Sequence, residues 1–396
     1  MQHISKLYVS LLLFASPGLK AQYQAASQPD SIIVQAGEEY RKSRIYQLFW
    51  GSNWRDEWTA QVKVPVVCLD TLYGGLTPYK KGGGNETSSL RLRTSSGKEY
   101  VIRSINKSRK DVTPRLLRNT LVAHIIQDNV SMSYPYAALA LPVMLKHAGI
   151  YHTNPSLVYI TNQPALDSFN TNFANDLYIV EERPDEDWSD ADHLGNFKKY
   201  YSTLDVLEEL KSNKSYKADQ KAYIKARLFD ILVADWDKHH DNWRWGKDES
   251  RRMFVPIPRD RDQALFTRNG LLNNIYISVS GLKFMQPFGY KIKSVPALTS
   301  QDRKMDRIFA KEMKLDDWLE TAAYLQQQLT DTVIIQSIKQ LPPEVFAISG
   351  NTTIEKIKAR RDDLHLYAKA FYMALAKELK KNSDDTIKPK MKSNQD

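Results

Sequence analysis

The sequence predicts an α+β protein of two lobes, the first built on an antiparallel sheet and the second mainly helical. Three observations predict it. Short runs rich in β-branched residues, several with period-two alternation, fall between residues 62 and 184. Apolar residues at helical spacing dominate residues 203–381. Between them lies the acidic stretch PDEDWSDAD, which marks the boundary and reads as a solvated crossing.

Composition bounds the function. A chain of 396 residues, 42% hydrophobic and 26% charged, is long enough for one large domain or two lobes with a real core. Its net charge of +10 favours anionic partners such as nucleotides or phosphorylated ligands. The densest basic runs, Lys107 to Lys110 and Lys377 to Lys392, lack interleaved aromatics, so no nucleic-acid partner is expected. Lys6, the apolar run from Leu7 to Ala15 and a small residue at Ala21 read as a secretory signal peptide over residues 1–21. The expected location is therefore the periplasm or cell envelope. No later stretch reaches the length of apolar sequence that a membrane span needs. The single cysteine, Cys68 in VPVVCLD, reads as a buried strand thiol.

Residues 22–61 read as an N-terminal extension that packs on the main domain, with a helical stretch from Glu38 to Leu48. Strand signals begin at Val62 to Leu69. The segment SLRLRTSSGKEYVIRSI reads as a hairpin, Leu90 and Leu92 pointing one way and Arg91 and Arg93 the other. Three glycines, Gly82, Gly83 and Gly84, precede it. Backbone without side chains lets amides approach a phosphate closely, although such a turn has a plainer reading as a turn alone. Arg103 emerges at the end of the second hairpin strand. A helix capped by Thr113, with Pro114 at its first position, should run to about Asn129. Strands follow at Ser156–Thr161 and Asp176–Glu182. Helices are expected over Thr203–Lys211, Asp219–Asp235, Lys314–Leu329 and Thr353–Lys381, the last opened by a capping box of Thr352 and Glu355. Its buried stripe should include Ile357, Leu364, Ala368, Phe371, Leu375 and Leu379. Residues 382–396 read as a disordered basic tail.

The chemistry concentrates in residues 219–266. An apolar helix runs into DWDKHHDN, and a short strand then ends in PIPRDRDQALF. Two pairs of oxygen-bearing residues, Asp237 with Asn242 and Asp260 with Asp262, come from separate elements. Hard oxygen ligands of this kind suit Mg²⁺ or Mn²⁺, which are held by one or two carboxylates together with substrate phosphates.

Taken in order, the glycine turn, strand cation, helix, strands, acidic loop and second acid resemble the protein-kinase-like fold in its divergent forms: the HipA toxin kinases, the spore-coat kinase CotH and the secretory-pathway kinases. Asp237 and Asn242 are five apart in DKHHDN, as are the catalytic Asp and metal-binding Asn of the kinase catalytic loop. Asp262 stands where the metal-binding Asp of the DFG segment does, and Arg103 in EYVIRS where VAIK has its lysine. The helix before residue 129 offers only Asp128, at its end, to pair with that cation. A second resemblance covers nearly the whole chain after residue 21. The phrases GGGNETSSLRL, GIYHTNPSLVYI, EERPDEDWSD, PIPRDRDQA and KARRDDL are similar to modules of bacterial envelope proteins, some fused to metallophosphoesterase or outer-membrane-barrel domains.

The resemblance implies an α+β, two-lobed protein-kinase-like fold with an antiparallel-sheet N-lobe (62–184) and a helical C-lobe (185–381) that carries the catalytic loop. It further implies a phosphotransferase in which Asp237 accepts the acceptor-hydroxyl proton. Asn242 and Asp262, with Asp260 second, would hold Mg²⁺, while Gly82 to Gly84 and Arg103 would position ATP or another phosphoryl donor. Two other readings stand beside it: a catalytically silent pseudokinase that binds an envelope or outer-membrane partner, and a metal-dependent phosphohydrolase using His239, His240 and the aspartates. Adjacent histidines are expected to point apart, which weighs against the last.

Overall fold

The structure, a computed structural model, describes residues 30–82, 88–107 and 120–380. Among them, seven strands form one sheet: β1 (Ser31–Val34), β2 (Val62–Val67), β3 (Thr77–Gly82), β4 (Ser89–Arg93), β5 (Glu99–Ser104), β6 (Ser156–Ile160) and β7 (Asp176–Glu182). Their order is β1-β2-β6-β7-β5-β4-β3, and only β2 and β6 run parallel. The α+β class expected from the sequence is therefore the class observed. The leader residues 1–21, Gly83, Gly84, the start of the helix after Thr113 and the tail from 382 lie outside the described residues.

Alternation along the strands gives the sheet two buried faces. Leu90, Leu92, Tyr100, Ile102, Tyr178 and Val180 pack on one side under Leu166, Phe173, Trp188 and Leu194. On the other side Ile105, Leu177 and Ile179, with Val62 and Val64, join the larger core of the helical body. Period two then puts Arg103 and Glu181 on that second face, pointing toward the helices. The register agrees: Arg103 pairs across with Ile179, and its neighbour Val101 with Glu181.

The extension before Val62 is stitched in by long-range bonds. β1 pairs antiparallel with β2, and Tyr40, Trp54 and Trp58 are buried. The Trp54 indole donates to the Leu265 carbonyl at 2.9 Å and that of Trp58 to the Ser133 carbonyl at 2.9 Å. Arg55 forms a buried bidentate pair with Asp128 at 2.8 and 2.6 Å, so the acid that ends the helix Leu121–Asp128 is used here.

In the second half, the helices Thr203–Ser212, Gln220–Leu232 and Leu315–Gln328 fall where periodicity puts them. A four-stranded sheet joins them: β8 (Tyr200–Tyr201), β9 (Lys217–Ala218), β10 (Trp243–Asp248) and β11 (Met253–Pro258), in the order β8-β10-β11-β9. Two-residue strands leave no pattern to read. Pro256 and Pro258 are tolerated because β9 pairs only with Met253 and Phe254, so the rest of β11 needs amides on one side alone.

Five expectations fail locally. The last helix is two, Asn351–Asp362 and Leu364–Leu379, broken at Asp363. Thr352 does not cap it, because the wide turn Phe346–Gly350 runs straight into Asn351. Leu379 is exposed. Cys68 lies just past β2 and is half-buried, not inside a strand. The acidic stretch after Pro184 is packed as well as crossed: Trp188 is buried, and Asp185 is held by Arg183 and by Arg244, the latter at 2.6 Å.

Candidate functional site

The strand β11 delivers its acids by stopping. After Pro258 the chain turns through Arg259, Asp260, Arg261 and Asp262, with Asp260 in the left-handed region at φ +53°. Asp260 and Asp262 thus belong to a turn and not to a strand, yet both line one cleft. Its other walls are Arg103, Ser104, Ile105 and Lys107 from the end of β5, Ile179 and Glu181 from β7, and Trp58 with Tyr134 and Pro135.

Two cations from the sheet meet two carboxylates from the turn. The Lys107 ammonium lies 2.5 Å from Asp262 Oδ2, and Arg103 lies 3.3 Å from Asp260 Oδ2. Arg103 also donates from Nε to Glu181 at 2.9 Å, and Glu181 accepts a second bond from the Thr153 hydroxyl at 2.9 Å. Burial opposes the Arg103 charge, but Asp260 and Glu181 overturn this and hold the guanidinium above its usual range. Burial alone would raise the Asp260 carboxyl; Arg103, then Lys107, Lys238 and Arg259, outweigh it and keep it below the usual carboxylate range.

The sequence does not single out Lys107 or Glu181. Lys107 reads there as the start of a basic run, yet it follows Arg103 by an even number of residues and is only 6% exposed. Period two, carried past the strand end, is the signal that finds it. Glu181 shares parity with Leu177 and Ile179 in DLYIVEE, and it supplies the carboxylate that the preceding helix lacks.

The loop 233–242 stands behind this turn. The helix Gln220–Leu232, capped by Asp219, ends at Val233; Ala234 is left-handed, and the Val233 carbonyl accepts the Leu265 amide at 2.7 Å. Lys238, fully buried, pairs with Asp235 and donates to the Asp260 carbonyl at 2.9 Å. Burial pushes the Asp235 carboxyl up against the pull of that lysine. Asn242 is buried; its side-chain amide donates to the Asp237 carbonyl at 2.9 Å, and its own carbonyl accepts the Arg259 amide at 2.8 Å. These bonds fix the loop against the turn through backbone atoms.

The placement of the sequence candidates is therefore uneven. Arg103, Asp260 and Asp262 share the cleft. Asp237, half-exposed with the His239 ring 3.9 Å from its carboxylate, and Asn242 do not line it. Gly82 ends β3 opposite Ser89 and does not line it either, while Gly83 and Gly84 fall outside the described residues. His239, His240 and Asp241 offer ligand atoms within 4.8 Å of one another, closer than adjacent histidines promise. The Nδ1 of His239 already accepts the Asp241 amide at 3.3 Å.

No family model matches the chain, and no curated protein matches it in sequence. Solved structures do. One is the Helicobacter pylori proinflammatory kinase CtkA, with 11% identity and a TM-score of 0.37, covering 76% of this chain and 95% of that one. Another is the Rio2 kinase of Chaetomium thermophilum, solved as an ADP/Mg²⁺-phosphoaspartate complex, with 12% identity and a TM-score of 0.27, covering 77% and 72%. Both are kinases. At this distance the reading of the site rests on its own residues.

Those residues fit a metal-bound phosphate. Asp260 and Asp262 each keep one carboxylate oxygen outside the described ion pairs, and both present hard oxygen ligands to the same cleft as two cations. A divalent ion with phosphate oxygens would offer the acids a cation and Arg103 and Lys107 an anion.

Proposed function

We propose that the chain is a kinase-like phosphotransferase that takes a phosphoryl group from a magnesium nucleotide. The observation that carries this reading is the meeting of Arg103 and Lys107 with Asp260 and Asp262 in one cleft between the sheet and the helical body. Bound Mg²⁺ would neutralise phosphate charge, which with positioning is most of what phosphoryl transfer requires. Asp262, with Asp260 beside it, would hold the ion. Lys107 and Arg103 would orient phosphate oxygens, Arg103 as a fixed fork set by Glu181. Asp237 would take the acceptor-hydroxyl proton, held by the bond from Asn242 to its backbone carbonyl. ATP or another phosphoryl donor fits this scheme, and the resemblance in sequence favours export to the cell envelope.

Calorimetric titration with Mg-ATP, alongside a phosphate-transfer assay, tests the reading. Asp262→Ala should abolish both binding and transfer, whereas Asp237→Ala should keep most affinity and lose turnover by on the order of 100-fold or more. Equal loss of affinity in both variants would overturn the assignment of roles, and unchanged affinity in both Asp260→Ala and Asp262→Ala would remove the site. A silent, ligand-binding pseudokinase is the second reading, because Asp237 is not among the residues that line the cleft. Thermal stabilisation by nucleotide without transfer would favour it.

A further inference from the structure

A second cleft adjoins the first across a shared wall of Ala138, Glu181, Asp260 and Arg261. Arg259, His152 and Thr153 line it on its own side. Among the described cations of this region Arg259 is the one left over. Asp185 is taken by Arg183 and Arg244, and Glu181 by Arg103 and Thr153. Asp260 is taken by Arg103. The Arg259 guanidinium has no ion pair among the described residues, and its Nη1 is enclosed without a hydrogen-bond partner. Arg259 is half-buried as a whole, but an enclosed N–H without a partner is costly to keep unless an acceptor completes it.

We propose that Arg259 anchors an oxyanion, a phosphoryl or carboxylate group, in this second cleft. The geometry separates the site from the metal-nucleotide cleft by the Arg103 bridge to Glu181 and Asp260, so an anion there lies next to the donor phosphates without competing for Lys107 or Asp262. The guanidinium offers the two parallel donors that a phosphate or carboxylate accepts. His152 gives the cleft a second, neutral feature: its Nδ1 lies 2.8 Å from the Ile150 carbonyl, which fixes the ring proton there and leaves Nε2 as an acceptor. An acceptor molecule bearing both an oxyanion and a hydroxyl matches this pairing. That last step rests on the phosphotransferase reading; the anion site itself does not.

The test uses the full chain without nucleotide or metal, and titrates inorganic phosphate and, in a parallel arm, acetate, read by calorimetry and by thermal shift. Wild type should bind at least one of the two, the arms telling phosphoryl from carboxylate preference. Arg259→Gln should weaken that binding by about tenfold or more, the loss of one charge-assisted contact. In anion-free buffer it should melt at or above the wild-type temperature, because a half-buried charge with an enclosed, unpartnered Nη1 has been removed. Arg259→Lys, which keeps charge but not the fork, should fall between. Undiminished binding in both variants, or no binding of either anion by wild type, would overturn the proposal. A melting temperature of Arg259→Gln well below wild type in anion-free buffer would also overturn it, by showing that the guanidinium is already satisfied. Binding of phosphate by Asp262→Ala with loss of Mg-ATP binding would keep the anion site while leaving the nucleotide cleft to be judged separately.

Discussion

Lys107 and Asp262 neutralise each other at the cleft wall, one side chain 7% exposed and the other 39%. Removing either partner alone leaves a charge in a partly dry place, so Asp262→Ala should cost on the order of 1–3 kcal/mol. The double change Lys107→Met with Asp262→Ala should recover part of that, and a thermodynamic cycle from denaturant melts reads the coupling directly. A second residue-scale expectation concerns Glu57, which is 4% exposed. Burial raises its carboxyl to about 7, with the Ser349 hydrogen bond working against it. A raised carboxyl contributes stability that is present below its unfolded value of 4.5 and lost as pH rises through about 7. Glu57→Gln should therefore leave stability near pH 4 almost unchanged and raise it at pH 8, the gain accruing at about 1.4 kcal/mol per pH step only between 4.5 and about 7. Denaturant melts across that pH range check the slope. At this scale the sequence shows the acids, because PIPRDRD is dense in a residue type with few other uses beside a proline strand. It does not show their partners. Lys107, Glu181 and Asp185 are chosen by which strand end faces which turn.

Elements follow local rules where they are long and tertiary ones where they are short. The hairpin β4–β5 is legible because alternation and a Ser-Ser-Gly turn agree, and the helix Gln220–Leu232 because Asp219 caps it by accepting the Ala222 amide at 2.9 Å. The strands β8 and β9 are two residues each and exist only because β10 and β11 are there to pair with them. The break at Asp363 is equally hidden, since no glycine or proline marks it. The helix Leu121–Asp128 depends on a contact of the same non-local kind, the Arg55–Asp128 pair, both side chains nearly buried. Breaking it by Arg55→Ala should cost about 3–5 kcal/mol, the penalty for stranding a buried charge. Asp128→Ala should cost about the same, and the double variant well under the sum, as urea titration of the three would show.

On the scale of the whole molecule, the sheet divides two cores and belongs to both, so sheet and helical body are coupled through one shared face. The segment before Val62 contributes to that coupling with β1, Tyr40, Trp54 and Trp58. A chain beginning at Val62 should lose cooperative unfolding in calorimetry, because three large buried rings and the Arg55 pair go with the deletion. The bond from Trp54 to Leu265 spans 211 positions, and the pair of Arg55 with Asp128 spans 73. Synthesis runs in one direction at roughly 5–20 residues per second, so Trp54 leaves the ribosome on the order of ten to forty seconds before Leu265 does. During that interval its indole has no native partner there. Arg55 and Trp58, whose partners Asp128 and Ser133 lie only 73 and 75 positions on, can be held much earlier, so the anchor of this segment is set first and the Trp54 indole bond closes it late.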